Sequence, residues 1–217
     1  MNMKQVYLPL IILFSPVLFF FTARLVKALF HFPMPPIMAD LIDNPLRRRI
    51  QPPEQMPSRH GIHEGMRVLE VGPGNGRYGV ETARQVGSGG MLVAVDIQFD
   101  MLAKTRLKAK DEGIANLHTA LVDVHNLPFK NGSFNAIYMI AVIGEIPQPV
   151  EAINEFHRVL QPGGTLAFSE LLPDPDFPLP KTLIRHAEGA GFHIKNRMGS
   201  WLTYTLVFEK KENISTS

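Results

Sequence analysis

The sequence predicts an α/β fold with a mostly parallel sheet covered by helices on both faces, and three features carry that prediction. Short apolar runs recur at 66–71, 91–96, 117–122, 134–140 and 164–171. Segments of helical character lie between them, at 77–86, 98–112 and 149–160. The first strand-to-helix junction is a glycine-rich turn, with Gly72, Gly74 and Gly76 in alternate positions. Strands that alternate with helices are joined by crossovers, which lay them side by side in parallel and cover both sheet faces. Ligands of such sheets sit outside the carboxyl ends of the strands.

The first strand runs from Val68 through Glu70 into that turn. Taken alone, such glycines mark a tight turn, but a turn without side chains also lets a ligand lie against backbone at a helix N-terminus. A dinucleotide fingerprint needs G-x-G-x-x-G; here the pattern is G-x-G-x-G, and Arg77 stands where the dinucleotide pattern has its third glycine. The second strand ends at Asp96 and Ile97, about 20 residues past the glycines, where a carboxylate can accept both hydroxyls of a ribose. The helix that follows carries an inner stripe of Leu102, Thr105 and Ala109. The third strand ends at Asp123 and Val124, ahead of Leu127, Pro128 and Phe129. Either aspartate could instead cap a following helix.

The fourth strand leads through Ala141 to Glu145, then to a helix and to Gln161, Pro162, Gly163 and Gly164, which read as a helix stop and turn. After the strand at 164–171 come a helix at 181–189 and two strands, at 192–198 and 201–209. Leu202, Tyr204, Leu206 and Phe208 alternate in the last run with Trp201, Thr203, Thr205 and Val207. With both registers largely apolar or aromatic, this strand is expected to be buried between two neighbours.

The E-x-G-x-G-x-G motif from Glu70 to Gly76, the strand-end acids Asp96 and Asp123, the L-P-F segment and the run from Arg158 to Gly164 occur in order. Together they resemble the class I S-adenosylmethionine-dependent methyltransferases, and the last stretch is most similar to the ubiquinone, menaquinone and sterol methyltransferases. The resemblance extends from Ile50 to Glu209. It implies a Rossmann-like sheet of seven strands, mostly parallel with one antiparallel strand, and S-adenosylmethionine as cofactor. It places Glu70, Gly72, Gly74 and Gly76 around the methionine part, Asp96 and Ile97 at the ribose, Asp123 and Val124 at the adenine, and Ala141 beside the cofactor.

A sulfonium is an activated methyl donor, so alignment and exclusion of water can supply much of the rate. A base is needed only if the acceptor must lose a proton. Glu145 is the first candidate and His125 the second. Each has a plainer reading: Glu145 as the cap of a helix starting near Pro147, His125 as a loop residue bonded to backbone.

The N-terminal region is read as an appendage, with 1–36 an anchor, 37–64 a linker and cap, 65–211 the methyltransferase domain and 212–217 a tail. No charged residue occurs between Lys4 and Arg24. Nineteen helical residues at about 1.5 Å each reach roughly 28 Å, close to the hydrocarbon thickness of a bilayer. Residues 5–32 are therefore expected to contact the membrane as a transmembrane helix, or, given Pro9 and Pro16, as a bent monotopic insertion. A signal peptide fits less well, because no small-residue cleavage site follows the apolar core. The arginines at 47–49 favour a catalytic domain on the cytoplasmic side. The domain lacks a large insertion to cover its site, so the N-terminal linker is expected to do so.

With no cysteine, the 217-residue chain has no disulfide framework or thiolate metal site, and its eight histidines lack ligand spacing, so no metal is expected. A net charge of +2 argues against nucleic acid as partner. The expected function is methyl transfer from S-adenosylmethionine to a lipid-soluble acceptor, quinone-like or phospholipid. The alternatives are a non-catalytic membrane-tethered adaptor that binds S-adenosylmethionine, and a methyltransferase of a soluble small molecule or protein.

Overall fold

The computed structural model describes Thr22, Arg24 and residues 33–172 and 174–211. Its strands are β1 (Arg67–Val71), β2 (Met91–Asp96), β3 (Leu117–Leu121), β4 (Phe134–Ile140), β5 (Leu160–Leu171), β6 (Phe192–Gly199) and β7 (Thr203–Lys210). They form one seven-stranded sheet in the order β3-β2-β1-β4-β5-β7-β6. Strands β1 to β5 pair in parallel. Strand β7 is antiparallel to both β5 and β6, the buried inserted strand expected from its two apolar registers.

The crossover helices are α4 (Arg77–Val86), α5 (Phe99–Asp111), α6 (Pro149–Val159) and α7 (Pro180–Gly189), preceded by α1 (Pro36–Ile42), α2 (Pro45–Ile50) and α3 (Met56–Arg59). Alternate side chains of a strand point to opposite faces. Leu69, Val71, Ile137, Met139, Leu166 and Phe168 accordingly join the core under α6 and α7, while Val68, Ala136, Tyr138 and Ala167 join the core containing Ala83 and Val86 of α4. Leu102, Thr105 and Ala109 of α5 are buried as their spacing predicts. Each fully buried large apolar side chain contributes about 1.5–3 kcal/mol, so both layers hold the strand ends in place.

The structure corrects three boundaries. Gln161 to Gly164 do not end one element and start another: Leu160 already pairs with Phe134, and after an irregular excursion Thr165 pairs with Ala136. Trp201 and Leu202 stand outside the last strand, exposed in the turn before Thr203. The stretch expected as a linker is folded into α1, α2, a 3-10 turn at Pro53–Gln55 and α3, because prolines at the first helical positions start each of the helices α1 and α2. The anchor expected over residues 5–32 lies outside the described residues apart from Thr22 and Arg24. Among the described residues no helix is long and apolar enough to cross a membrane.

Candidate active site

All the strand-end residues singled out from sequence lie at the carboxyl edge of the sheet, around the β1–α4 turn. Gly72, Gly74 and Gly76 have φ of +68°, +59° and +80°, a region that residues with a Cβ enter at a cost. They serve different purposes. A Cβ on Gly72 would lie 2.5 Å from Val142 Cγ2, and one on Gly76 would lie 2.8 Å from the backbone of Thr105, so these two allow close packing against β4 and α5. A Cβ on Gly74 would meet nothing within 4 Å. Gly74 therefore faces the open side of the turn, at the N-terminus of α4, where unpaired amide N–H groups favour an anionic group.

Glu70 lies on the opposite side of that turn. It is 2% exposed, and its Oε2 is so close beneath α4 that a Cβ on Gly79 would come within 2.5 Å of it. Burial pushes its carboxyl up to about 8, against a hydrogen bond from Tyr138; the Tyr138 hydroxyl in turn accepts from Thr82 at 2.9 Å. Strand alternation explains the placement, since Glu70 shares its face with Val68. Glu70 is thus enclosed beneath α4, with its Oε2 buried and without a hydrogen-bond partner.

Asp96 ends β2 with Oδ1 accepting the amide of Gln98 at 2.8 Å. Burial raises its carboxyl, opposed by the amides of Gln98 and Ile97. Ile97 beside it is exposed, an apolar surface at the site's rim. Asp123 lies two residues past the end of the neighbouring strand β3 and its side chain is 66% exposed. Its Oδ1 accepts from the amide of His125 at 2.9 Å and contacts the ring Nδ1 at 2.6 Å, and these bonds hold it below the usual carboxylate range. Val124 packs its side chain into the core, which leaves its backbone for any ligand.

The His125 ring has acceptors at both nitrogens, Asp123 at Nδ1 and the Pro147 carbonyl at Nε2, 2.7 Å away. Partial burial lowers its pKa, but the bonds and the charge of Asp123 outweigh that, and the net shift is upward. His125 thus links Asp123 to the loop before α6, the contact to backbone that its plainer reading expects.

At the end of β4, Ala141 adopts φ +56° and donates its amide to the Ser169 carbonyl at 2.8 Å. This left-handed step turns the chain so that Val142 covers Gly72 and the 3-10 turn Ile143–Glu145 brings Glu145 to the same edge. Glu145 Oε2 accepts the backbone amide of Met34 at 3.0 Å, and the Met34 carbonyl accepts from Gln98 Nε2 at 3.0 Å. The N-terminal segment thus bridges the ends of β2 and β4. Further along it, Lys104 Nζ donates to the Pro36 carbonyl at 2.9 Å and pairs with Asp40. Asn75 donates to Asp43 at 3.1 Å, and Arg77 pairs with Asp43.

A family model described as "Methyltransferase domain" matches residues 62–201. This chain belongs to the methyltransferase-domain family. Family and fold imply S-adenosylmethionine as its cofactor. The chain is 31% identical over 140 residues to the ubiquinone/menaquinone biosynthesis C-methyltransferase UbiE of Idiomarina loihiensis, covering 64% of this chain and 54% of that protein. It is 32% identical over 143 residues to the protein of the same name from Vibrio campbellii, with 64% and 52% covered. The chain thus spans about half the length of the curated relatives it matches. Among solved structures, a SAM-dependent methyltransferase from Aquifex aeolicus superposes with a TM-score of 0.76 at 23% identity, covering 82% of this chain and 99% of that one. The [4+2]-cyclase SpnF superposes with a TM-score of 0.66 at 19% identity over 74% and 80%. Both likenesses are of fold.

In this methyltransferase domain, sequence reasoning missed Asn75, Gln98 and Lys104, which tie the segment from Met34 to Asp43 to the β1–α4 turn, to the end of β2 and to α5, and it did not separate Arg47 from its neighbours. Arg48 pairs with Asp43 and is exposed. Arg47 is half-buried, with its Nε enclosed and without a hydrogen-bond partner, close to Tyr78 in the first turn of α4. A residue three places after the helix-capping Asn44 points back toward the domain, and that offset is the one signal the sequence held.

Proposed function

We propose that this chain transfers a methyl group from S-adenosylmethionine to a lipid-soluble acceptor, with a quinone-type ring favoured and a phospholipid amine second. The observation that carries the reading is the convergence of the open side of Gly74, the α4 N-terminus, Asp96 and Asp123 at one sheet edge beneath a folded cap. The residues fit the cofactor: a backbone surface open at Gly74, an unpartnered guanidinium nitrogen on Arg47, and carboxylates at the ends of β2 and β3. Asp96 takes the ribose hydroxyls, Asp123 takes the adenine amine, and Arg47 with the α4 N-terminus takes the carboxylate of the methionine part.

Bound there, S-adenosylmethionine supplies a methyl group on a positively charged sulfur, ready for in-line displacement. The chain's own residues align and enclose. Val142 and Glu145 form the wall at the end of β4 where an acceptor approaches, and the segment from Met34 to Asp43 excludes water from above. The names of the curated relatives, which concern ubiquinone and menaquinone biosynthesis, support a ring acceptor. The apolar sequence of residues 5–32 supports a membrane-associated chain with its catalytic domain on the cytoplasmic side. Incubating the full chain and a labelled methyl donor with extracted membrane lipids tests the reading: label is expected in the quinone fraction. Label confined to soluble small molecules or proteins would overturn it.

A further inference from the structure

The loop after β5 and the turn before β7 are stapled together at the same sheet edge as the site. The Leu172 amide donates to the Leu202 carbonyl at 2.8 Å, and the Tyr204 hydroxyl donates to the Pro178 carbonyl at 2.6 Å. Phe177 fills the space beneath, edge-on to Tyr204 with ring centroids 5.3 Å apart. The turn itself is stiff. Gly199 holds φ +94°, where a Cβ would collide with the Thr203 carbonyl, and the Leu202 amide donates to Ser200 Oγ.

This rigid platform raises three large apolar side chains out of the protein: Leu179 is 63% exposed, Trp201 72% and Leu202 45%. Keeping a tryptophan in water on a turn built to hold it has no value for the fold, since its neighbours in β7 already fill the core. Exposed Lys181 and Arg197 flank the platform, while Asp174 and Asp176 on the loop are half-buried and engaged. Arg24 donates to the carbonyls of Pro175 at 3.1 Å and Phe177 at 3.3 Å. Arg24, the residue that ends the uncharged run of the sequence, is thus bonded to the same loop that carries Leu179.

We propose that Leu179, Trp201 and Leu202 are a membrane-docking platform that seats the carboxyl edge of the sheet, and with it the acceptor mouth, on the lipid bilayer. Tryptophan favours the headgroup region, leucines reach below it, and Lys181 and Arg197 meet anionic headgroups. The proposal rests on the lipid-soluble acceptor for its purpose, but its test reads lipid contact and needs no turnover.

Trp201 is the sole tryptophan in the chain, so its emission reports on this platform alone. The full chain is mixed with vesicles of phosphatidylcholine and phosphatidylglycerol, with and without brominated acyl chains. The expected result is a blue shift of the emission and quenching by the brominated lipid. Leu179→Glu, alone and combined with Leu202→Glu, should lose the shift while calorimetric affinity for S-adenosylmethionine is unchanged. Emission unmoved by vesicles overturns the proposal, whether or not the chain sediments with them. A Trp201 response in a chain that fails to bind S-adenosylmethionine leaves the platform standing and overturns the cofactor assignment.

Discussion

The backbone amide of Met34 donates to the carboxylate of Glu145 across 3.0 Å, joining two residues 111 positions apart. With the Met34 carbonyl held by Gln98, one residue of the cap is fastened on both sides, at the ends of β4 and β2. Glu145, which sequence reasoning offered as a base, therefore has a task in holding the cap.

Glutamine keeps an oxygen that can accept the Met34 amide, and alanine does not. Glu145→Gln should retain kcat within about threefold, whereas Glu145→Ala should raise KM for S-adenosylmethionine by up to roughly tenfold, the worth of about one hydrogen bond. Steady-state kinetics on the pair separate holding from proton removal. A fall of about 100-fold or more in kcat for the glutamine variant would assign Glu145 to proton removal instead.

The proposed function gives Asp96 the ribose hydroxyls. Its replacement by alanine removes charge-assisted hydrogen bonds worth about 1.5–3 kcal/mol, and calorimetry should show S-adenosylmethionine binding weakened roughly 10–100-fold. Unchanged affinity would remove Asp96 from the site.

The glycines should respond differently to a methyl group. Gly72→Ala combines a left-handed backbone with displacement of Val142, and a loss of roughly 2–4 kcal/mol is expected in urea unfolding. Gly74→Ala meets no neighbour and should lose only about 1–2 kcal/mol. The methyl group nevertheless occupies the open side of the turn, so cofactor affinity should fall more than stability does.

Two buried titratable groups give the fold opposite responses to pH. Glu70, pushed up to about 8 from an ordinary 4.5, holds a proton in the folded state that the unfolded chain releases. Its contribution is complete below pH 4.5 and is lost as pH rises through 8. His60, fully buried against Ser169 and stacked on Tyr138, is pushed down to about 3 from 6.5. Its contribution is complete above pH 6.5 and is lost as pH falls through 3. Of this pair only Glu70 titrates between 6.5 and 8, so Glu70→Gln should flatten the decline of unfolding free energy across that interval. An unchanged slope would mean that Glu70 is ionised in the folded protein.

The sheet was legible because its signals are local: runs of Val, Leu and Ile ending at Asp96 and Asp123, and glycines in alternate positions. The burial of Glu70 was not, because alternation tells which residues share a face but not which helix covers it. The cap's fastenings were invisible for another reason. Lys104 with Asp40, and Gln98 with Met34, are partners 64 residues apart in sequence, and nothing in either segment names the other. For His125 the sequence offered two readings, a base and a loop residue bonded to backbone, and only the fold could supply the Pro147 carbonyl, 22 residues away, that the second needs.

Among the described residues, strand β6 pairs with β7 alone. During synthesis Phe192–Gly199 leaves the ribosome before the one ribbon it can join, and its neighbour must slide between it and β5 once translated. Assembly of this half of the protein is thus a late, non-local event. A nascent chain halted before Thr203 leaves Phe168 and Leu166 on an unguarded edge, a target for chaperones until the final ribbon arrives.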